Sequence, residues 1–203
     1  MDLFEAAAGQ ALPVIDARLV LWQAVDFGDE KVLLKQLIEE TPWRQDEVTV
    51  WGKTHRQPRL IAWYGDAAQS YSYSGITLSA LPWTPALLRI KETVETLCQN
   101  AFNSALVNYY RDQRDGMGFH SDDEPELGPA PVIASVTFGA PRHFVLKHRY
   151  RKDVANVKLP LPSGSVLLMS GDTQRYWKHG VPKQRKPCGP RINLTFRQIL
   201  SQT

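Results

Sequence analysis

Three residues of this sequence are of types that bind metal ions. His120-Ser121-Asp122 places an imidazole and a carboxylate two residues apart, and on an extended segment both side chains point to the same side. His179 follows later, in another region of strand and turn signals. Two histidines and one carboxylate form the facial triad that holds non-haem Fe(II) and leaves positions for oxygen and substrate. The alternative for this pattern taken alone is a surface histidine beside an acid.

A strictly alternating segment lies just after His179. Arg191, Asn193, Thr195 and Arg197 share one face of the predicted strand, whereas Ile192, Leu194 and Phe196 share the other. A guanidinium binds a carboxylate through two parallel hydrogen bonds, so the polar face could anchor a dicarboxylic acid whose other end chelates iron. The alternative is the solvated polar face of an antiparallel sheet.

A third segment could serve the same site. In Val107-Asn108-Tyr109-Tyr110, Asn108 and Tyr110 fall on one face and could donate hydrogen bonds to a carboxylate. Core packing is the alternative for Tyr110.

Two helices are predicted before these segments. Residues 29–40 begin at a capping Asp29 and place Val32, Leu33, Leu37 and Ile38 on one face. A second helix begins at Thr84 and Pro85, with its apolar spacing carried by Leu87, Ile90, Val94 and Leu97. We expect both helices to pack on a sheet.

Short apolar runs separated by glycine and proline dominate the second half of the chain. The predicted strands are 105–110, 132–138, 143–148, 154–159, 165–170 and 191–197. Many short strands at this spacing favour a sandwich or barrel of the jelly-roll kind, so the fold class is α+β.

Composition excludes several classes of protein. With 203 residues, 43% of them hydrophobic and 22% charged, the chain is neither disordered nor collagen-like. Its apolar runs are far shorter than the roughly 18 residues of a membrane span, and its acidic start lacks the features of a signal peptide. Two cysteines make no disulfide framework, which favours the reducing cytoplasm.

The net charge of +3 hides an asymmetry along the chain. Residues 141–203 carry 13 basic and 2 acidic side chains, whereas residues 1–140 carry 11 basic and 19 acidic ones. This split indicates an anionic partner near the C-terminal part, with a solvated basic surface as the alternative. The side chains that could contact backbone phosphates are Arg142, Lys147, Arg149, Arg151, Lys152, Lys178, Lys183, Arg185 and Lys186.

From roughly residue 50 to residue 200 the chain resembles the AlkB family of Fe(II)- and 2-oxoglutarate-dependent dioxygenases, most of all the members that repair double-stranded DNA. The motifs that carry the resemblance are Asn108-Tyr109-Tyr110, His120-Ser121-Asp122-Asp123-Glu124, His179 and the segment 191–197. The resemblance implies a double-stranded β-helix with N-terminal helices and a nucleotide-recognition lid. We expect an N-terminal extension with helices and lid over 1–104 and the catalytic core over 105–203, within one continuous domain.

The resemblance also implies roles for individual residues. His120, Asp122 and His179 would bind the iron and carry catalysis. Arg191 would pair with the distal carboxylate of 2-oxoglutarate, assisted by Asn108 and Tyr110. Asn193, Thr195 and Arg197 would line the same pocket, with Arg197 near the chelating end. O2 is the second co-substrate.

On the substrate side, Trp51 would be the tip of a hydrophobic finger that enters the base stack. Tyr71 and Tyr73 would contact the flipped base, Tyr73 by stacking against it opposite His120. Asp123 and Glu124 could read an exocyclic amino group or a cationic methylated ring. The alternatives are a core aromatic for Trp51 and solvated acids for the carboxylates.

The implied function is oxidative demethylation of N-alkylated bases in DNA, of the 1-methyladenine and 3-methylcytosine type, with release of formaldehyde, succinate and CO2. We expect DNA as the partner, with RNA as the alternative, no membrane association and a monomer. The alternatives are the same chemistry on RNA, protein or a small molecule, and a catalytically silent nucleic-acid-binding module.

Overall fold

The computed structural model describes residues 9–50, 53–66, 70–73 and 76–200, and of residues 48–50, 53, 70–73 and 76–79 it describes the backbone alone. In chain order the strands are β1 (Gln10–Leu12), β2 (Arg18–Trp22), β3 (Glu47–Val50), β4 (Lys53–Arg56), β5 (Leu60–Gly65), β6 (Ser70–Tyr73), β7 (Ile76–Ser79), β8 (Ser104–Tyr110), β9 (Met117–His120), β10 (Ile133–Gly139), β11 (Arg142–His148), β12 (Val157–Leu161), β13 (Ser165–Ser170), β14 (Trp177–Val181) and β15 (Arg191–Arg197). The helices are α1 (Glu30–Glu40), α2 (Pro85–Cys98), a short α3 (Thr173–Tyr176) and a 3₁₀ turn at Pro125–Leu127.

Two antiparallel sheets make up most of the described fold. The major sheet has the strand order β1-β2-β13-β10-β15-β8-β5, and the minor sheet has the order β12-β11-β14-β9. The pairs β3–β4 and β6–β7 form two separate hairpins. Because the strands face each other as two antiparallel sheets, the predicted α+β class with a jelly-roll core is confirmed. No helix among these described residues is long and apolar enough to cross a membrane.

The two faces of the major sheet have different partners. On one face, alternate residues of β15 pack with the helices in a core that contains Leu37, Ile90, Val94, Leu194 and Phe196. On the other face, the major sheet packs against the minor sheet through a second core, which includes Leu19, Ile133, Leu146, Leu161, Leu167, Met169 and Trp177. The polar face of β15 therefore points into the space between the sheets and is buried.

Both predicted helix starts are confirmed. The Asp29 carboxylate accepts hydrogen bonds from the backbone amides of Lys31 and Val32, and the Thr84 hydroxyl accepts one from Leu87. These caps satisfy amide groups that have no partner within the helix. The assignment of Val32 to the buried face of α1 is wrong, because this side chain is 62% exposed. The buried stripe of α1 runs through Leu33 and Leu37 alone, with Leu34 and Ile38 at its margins.

The strand predicted at 154–159 lies further along the chain, at 157–161, because residues 152–154 form a turn and a bend. This strand contains Pro160, which cannot donate a ladder hydrogen bond. It is tolerated because β12 is the edge strand of the minor sheet.

The major sheet takes β2 and β5 from the part of the chain before residue 104, and β10, β13 and β15 from the part after it. The division of the chain at residues 104 and 105 stays a prediction.

The contrast between Leu37 and Val32 gives a stability test on one helix. Leu37 is 3% exposed and Val32 is 62% exposed. Leu37→Ala should lower the free energy of unfolding by roughly 2–5 kcal/mol, because it removes buried methyl groups and leaves a cavity. Val32→Ala should change it by less than roughly 0.5 kcal/mol. Urea unfolding measures both values, and equal losses would contradict the packing of α1 described above.

Candidate metal and co-substrate site

The three predicted metal ligands lie together between the sheets. His120 ends β9 and is paired in register with His179 on β14, and Asp122 follows β9 by two residues. The Nε2 atom of His120 lies 3.5 Å from Oδ1 of Asp122, and Nε2 of His179 lies 3.5 Å from Oδ2. The potential ligand atoms of the three residues all lie within 4.8 Å of one another.

The orientation of His120 is fixed by its second ring nitrogen. Nδ1 lies 3.0 Å from the carbonyl oxygen of Gly118, and since a carbonyl only accepts, Nδ1 carries the proton. The lone pair of Nε2 then faces Asp122. A ligand histidine is commonly held by such a hydrogen bond from its other nitrogen.

The charge states of the site suit a cation. Burial of Asp122 acts to raise its pKa, but the charge of Arg197 and the contacts with both histidines outweigh it, so the pKa lies well below its ordinary value. Burial, with a smaller contribution from His120, lowers the pKa of His179 to about 3. The ring of His179 is therefore neutral at neutral pH, and its contact with Asp122 is not a salt bridge. Ionised carboxylate and neutral imidazole are the forms that bind metal ions.

The residues present fit Fe(II). Oδ2 of Asp122 is buried and accepts no hydrogen bond within the described part of the chain. Two imidazole nitrogens and one carboxylate oxygen are a donor set typical of non-haem Fe(II). These three side chains could therefore hold the ion.

Two further side chains hold Asp122 in place. Nη2 of Arg197 donates to Oδ1 at 2.9 Å, and Oε1 of Gln174 accepts from the backbone amide of Asp122 at 3.0 Å. Gln174 is 2% exposed and its amide nitrogen lies 3.7 Å from the sulfur of Met169. The sequence carries no signal for Gln174, because it is an isolated polar residue in a very short helix.

The triad opens into a cavity between the sheets. The residues that line it are Leu106, Asn108, Tyr110, Met117, His120, Asp122, Ser135, Phe144, Met169, His179, Gly180, Val181, Asn193, Thr195 and Arg197. The structure thus brings together the three predicted metal ligands and five of the six predicted co-substrate residues.

Arg191, the sixth, lies behind Tyr110, with its guanidinium carbon 5.1 Å from the centre of that ring. It is 1% exposed and donates to the Thr137 hydroxyl at 2.9 Å. Burial lowers its pKa to about 10, and Arg142 contributes to the decrease, so Arg191 remains charged at neutral pH. Its Nε and Nη1 atoms are buried and have no partner within the described residues. A buried cation with spare donors is suited to binding an anion.

The other polar residues of the cavity are largely engaged with each other. Asn193 donates to the Ser135 hydroxyl and the Val136 carbonyl, both at 2.8 Å, and Thr195 donates to Asn193 at 3.2 Å. The Asn108 oxygen accepts from Nε of Arg59 at 2.8 Å. Arg59 is 3% exposed, and the sequence offers no periodic signal that would have identified it.

Arg142, predicted as a possible phosphate contact, is buried instead. It is 2% exposed, and its guanidinium donates to the carbonyl oxygens of Asp112, Asp115 and Pro182. Its charge is used inside the fold, where it lies 5.9 Å from the Tyr110 ring. The phosphate role of Arg142 was therefore wrong.

The predicted base contacts are described only in part. Trp51 lies outside the described residues, and Tyr71 and Tyr73 lie in the β6–β7 hairpin, where the backbone alone is described. The side chain of Asp123 is 53% exposed and accepts from Nη1 of Arg149 at 2.7 Å. Glu124 is half-buried, and neither acid is among the residues that line the cavity.

Comparison with known proteins agrees with this geometry. A sequence model of the 2OG-Fe(II) oxygenase superfamily matches residues 28–197. The chain is 43% identical over 183 residues to alpha-ketoglutarate-dependent dioxygenase alkB homolog 3 of Mus musculus, a match that covers 86% of this chain and 63% of the relative. It is 47% identical over 159 residues to DNA oxidative demethylase ALKBH2 of Homo sapiens, covering 75% of this chain and 61% of the relative. The chain thus spans less than two thirds of the length of these relatives.

Two other similarities extend this result. The chain is 43% identical over 173 residues to DNA oxidative demethylase ALKBH2 of Mus musculus, covering 82% of this chain and 72% of that relative. The solved structure of OsALKBH1 superposes with a TM-score of 0.63 at 17% identity, covering 89% of this chain and 96% of that chain, which supports the fold. This chain therefore belongs to the 2OG-Fe(II) oxygenase superfamily and, within it, to the AlkB family.

Proposed function

We propose that this protein demethylates N-alkylated bases in DNA, of the 1-methyladenine and 3-methylcytosine type, and so repairs alkylation damage. One observation carries the proposal. A single cavity has three metal-ligand side chains on its wall and, behind Tyr110, a buried arginine with unpaired donors. The similarity to proteins named DNA oxidative demethylase supports the choice of substrate.

In this proposal His120, Asp122 and His179 hold Fe(II). Arg191 binds the distal carboxylate of 2-oxoglutarate with help from Tyr110 and Asn108. Arg197, which already neutralises Asp122, lies near the chelating end. Asn193 and Thr195 shape the wall, since their hydrogen bonds tie them to each other and to β10.

When bound, Fe(II) with 2-oxoglutarate and O2 would supply the oxidising power: one oxygen atom would go to the N-methyl group, which would be lost as formaldehyde, and the other to succinate, with CO2 as the remaining product. The protein positions the methyl carbon beside the metal ligands and limits the access of water. His120 is the ligand nearest the outside, because its side chain is 24% exposed while that of His179 is 6% exposed. We infer that the methylated base approaches from the side of His120.

The base contacts of the proposal extend beyond the described cavity. Trp51 would wedge into the base stack, and Tyr71 and Tyr73 would hold the flipped base. Asp123 and Glu124 would favour a cationic methylated ring. The Arg149 guanidinium holds the Asp123 carboxylate in place and leaves it half-exposed, but it also offsets part of the negative charge that would attract such a ring.

Exposed basic side chains would contact the phosphates of the bound strand. These side chains are Lys147, Lys178, Lys183, Arg185 and Lys186. Both cysteines, Cys98 and Cys188, are free thiols, which is compatible with the predicted cytoplasmic location. That location and the monomeric state stay predictions.

Formaldehyde release tests the proposed function. Methylated duplex DNA, single-stranded DNA and RNA should be compared with Fe(II) and 2-oxoglutarate present, and we expect release from DNA with one succinate per formaldehyde. His120→Ala and Asp122→Ala should reduce release to background because each removes a ligand, whereas His143→Ala changes an exposed histidine outside the site and should not.

Retained demethylation by metal-stripped His120→Ala would overturn the proposal. Release from RNA alone would favour the RNA alternative, and absence of 2-oxoglutarate turnover would favour a silent binding module.

Gln174→Met tests whether the support of Asp122 matters for metal binding. The substitution keeps the volume but removes the acceptor of the Asp122 amide. We expect the affinity for Fe(II), or for Mn(II) as a stable substitute, to fall roughly 10–100-fold by anaerobic titration. Gln36→Met, on the exposed face of α1, is the matched control and should bind metal normally. Unchanged affinity in Gln174→Met would exclude this role.

Arg191→Lys tests the co-substrate end of the cavity. A lysine keeps the charge but cannot form the two parallel hydrogen bonds of a guanidinium. The KM for 2-oxoglutarate should rise roughly 10–100-fold, with a smaller change in kcat at saturation. Arg89→Lys, an exposed change on α2, is the control. A normal KM in Arg191→Lys would place the distal carboxylate elsewhere.

A further inference from the structure

A second aromatic and basic surface lies outside the cavity, at the end of β11. Tyr150 is 66% exposed, more than any other large hydrophobic side chain in the described parts of the chain. Its ring meets Tyr176 edge to face, with centroids 6.2 Å apart. We call the group formed by Tyr150, Tyr176, Lys152 and Arg175 the Tyr150 platform.

The turn that carries Tyr150 is hydrogen-bonded to His148. Nδ1 of His148 accepts hydrogen bonds from the backbone amides of Tyr150 and Arg151, at 3.2 and 3.0 Å. The ring proton of His148 therefore lies on Nε2. Nε2 lies 3.2 Å from the carboxylate of Asp16, and the imidazole packs 5.0 Å from the Trp177 ring. The His148 side chain is only 2% exposed. The backbone that carries the exposed tyrosine is thus held on a buried support, which reduces the backbone entropy lost when a ligand binds there.

The Tyr150 platform is tied to the metal-ligand turn. Arg149, next to Tyr150, donates from Nη1 to Asp123 at 2.7 Å, to the Gln174 carbonyl at 3.1 Å and to the Ser121 hydroxyl at 3.4 Å. Ser121 and Asp123 flank the metal ligand Asp122. The Tyr150 platform therefore borders the turn that carries the metal ligand Asp122, next to the place where a substrate base would be oxidised.

The charge of the Tyr150 platform suits a phosphodiester chain. Arg149 and Arg151 are paired with Asp123 and Asp153. Lys152 and Arg175 are exposed, and within the described residues neither forms an ion pair with a carboxylate. The guanidinium carbon of Arg175 lies 5.3 Å from the centre of the Tyr176 ring. Aromatic rings beside unpaired cations are typical of surfaces that bind single-stranded nucleic acid.

We propose that the Tyr150 platform binds an unpaired base that neighbours the methylated one, by stacking on Tyr150, while Lys152 and Arg175 contact the adjacent phosphates. This rests on the proposed function and adds a binding site for the strand outside the cavity. In a duplex the neighbouring bases are stacked and paired, so the contact is available to single strands or to strands opened at that base. Contacts with Tyr176, His148 and the Arg149 guanidinium leave Tyr150 66% exposed, so packing within the fold does not account for the position of the ring.

Binding of unmethylated DNA tests this site without any turnover. The probe is a fluorescent oligothymidylate of roughly 12 nucleotides, within the site sizes of single-strand grooves, measured by anisotropy. Tyr150→Ala should weaken binding about tenfold, as expected for the loss of one stacked base. Tyr150→Phe keeps the ring and should bind normally. Val32→Ala, which also truncates an exposed apolar side chain, is the matched control.

Lys152→Gln and Arg175→Gln should each reduce the slope of log affinity against log salt by about one unit or slightly less, since each would remove one phosphate contact. Duplex DNA of the same length should lose less than about twofold affinity in Tyr150→Ala, because its bases are not free to stack. Equal losses with Tyr150→Phe and Tyr150→Ala, or unchanged binding of the single strand by Tyr150→Ala, would overturn the proposal.

Formaldehyde release from a methylated single strand separates this proposal from the proposed function. Tyr150→Ala should raise the KM for the strand and leave kcat unchanged. If the wild-type protein released no formaldehyde but Tyr150→Ala still lost oligothymidylate affinity, the proposed function would fail and the Tyr150 platform would stand.

Discussion

The carboxylate of Asp122 is completely buried, and it can remain ionised there because the Arg197 guanidinium lies 2.9 Å away. A buried carboxylate without a counter-charge would take up a proton, and a protonated carboxyl is a poor metal ligand. The two residues are 75 positions apart in the chain, so the ligand turn and the last strand must both be in place before the site has the right charge. With His179 neutral, Asp122, Arg197 and His179 together carry no net charge. A divalent ion and a dianionic co-substrate would add no net charge to these three groups, and the Arg191 cation would remain to attract the distal carboxylate.

Strand alternation separates this polar site from the apolar core. On β15, Ile192, Leu194 and Phe196 pack toward the helices while Arg191 and Arg197 point between the sheets. A shift of β15 by one residue would exchange these two sets and bury guanidinium groups among the helices. The register with β8 and β10 is therefore specified by the sequence of β15 itself. The same alternation on β8 directs Asn108 and Tyr110 into the cavity.

The parts of the site that sequence reasoning found are those with a local pattern. The alternation of β15, the His-x-Asp spacing and the caps at Asp29 and Thr84 each depend on neighbours within a few residues. Gln174, Arg59 and Arg142 were missed or misread because their roles arise from contacts 27 to 52 positions away in sequence. An isolated arginine is the same in sequence whether it faces solvent or three buried carbonyl groups. Val32 was predicted to be buried but is exposed. Residue spacing identifies the apolar face of a helix, but it does not show how much of that face the neighbouring sheet covers.

The strand order of the major sheet also bears on how the chain assembles during synthesis. β15 follows all the other described strands in the chain, yet it lies between β8 and β10 in the sheet. Until it emerges, β5 and β8 can pair with each other, and β1, β2, β13 and β10 can do the same, but among the described strands no pairing within the major sheet joins the two groups. Closing such long-range pairs is slow, so this insertion is a late event. A growing chain would thus present His120, Asp122 and His179 before it has Arg197. The ligand set could not reach its mature charge until β15 had left the ribosome.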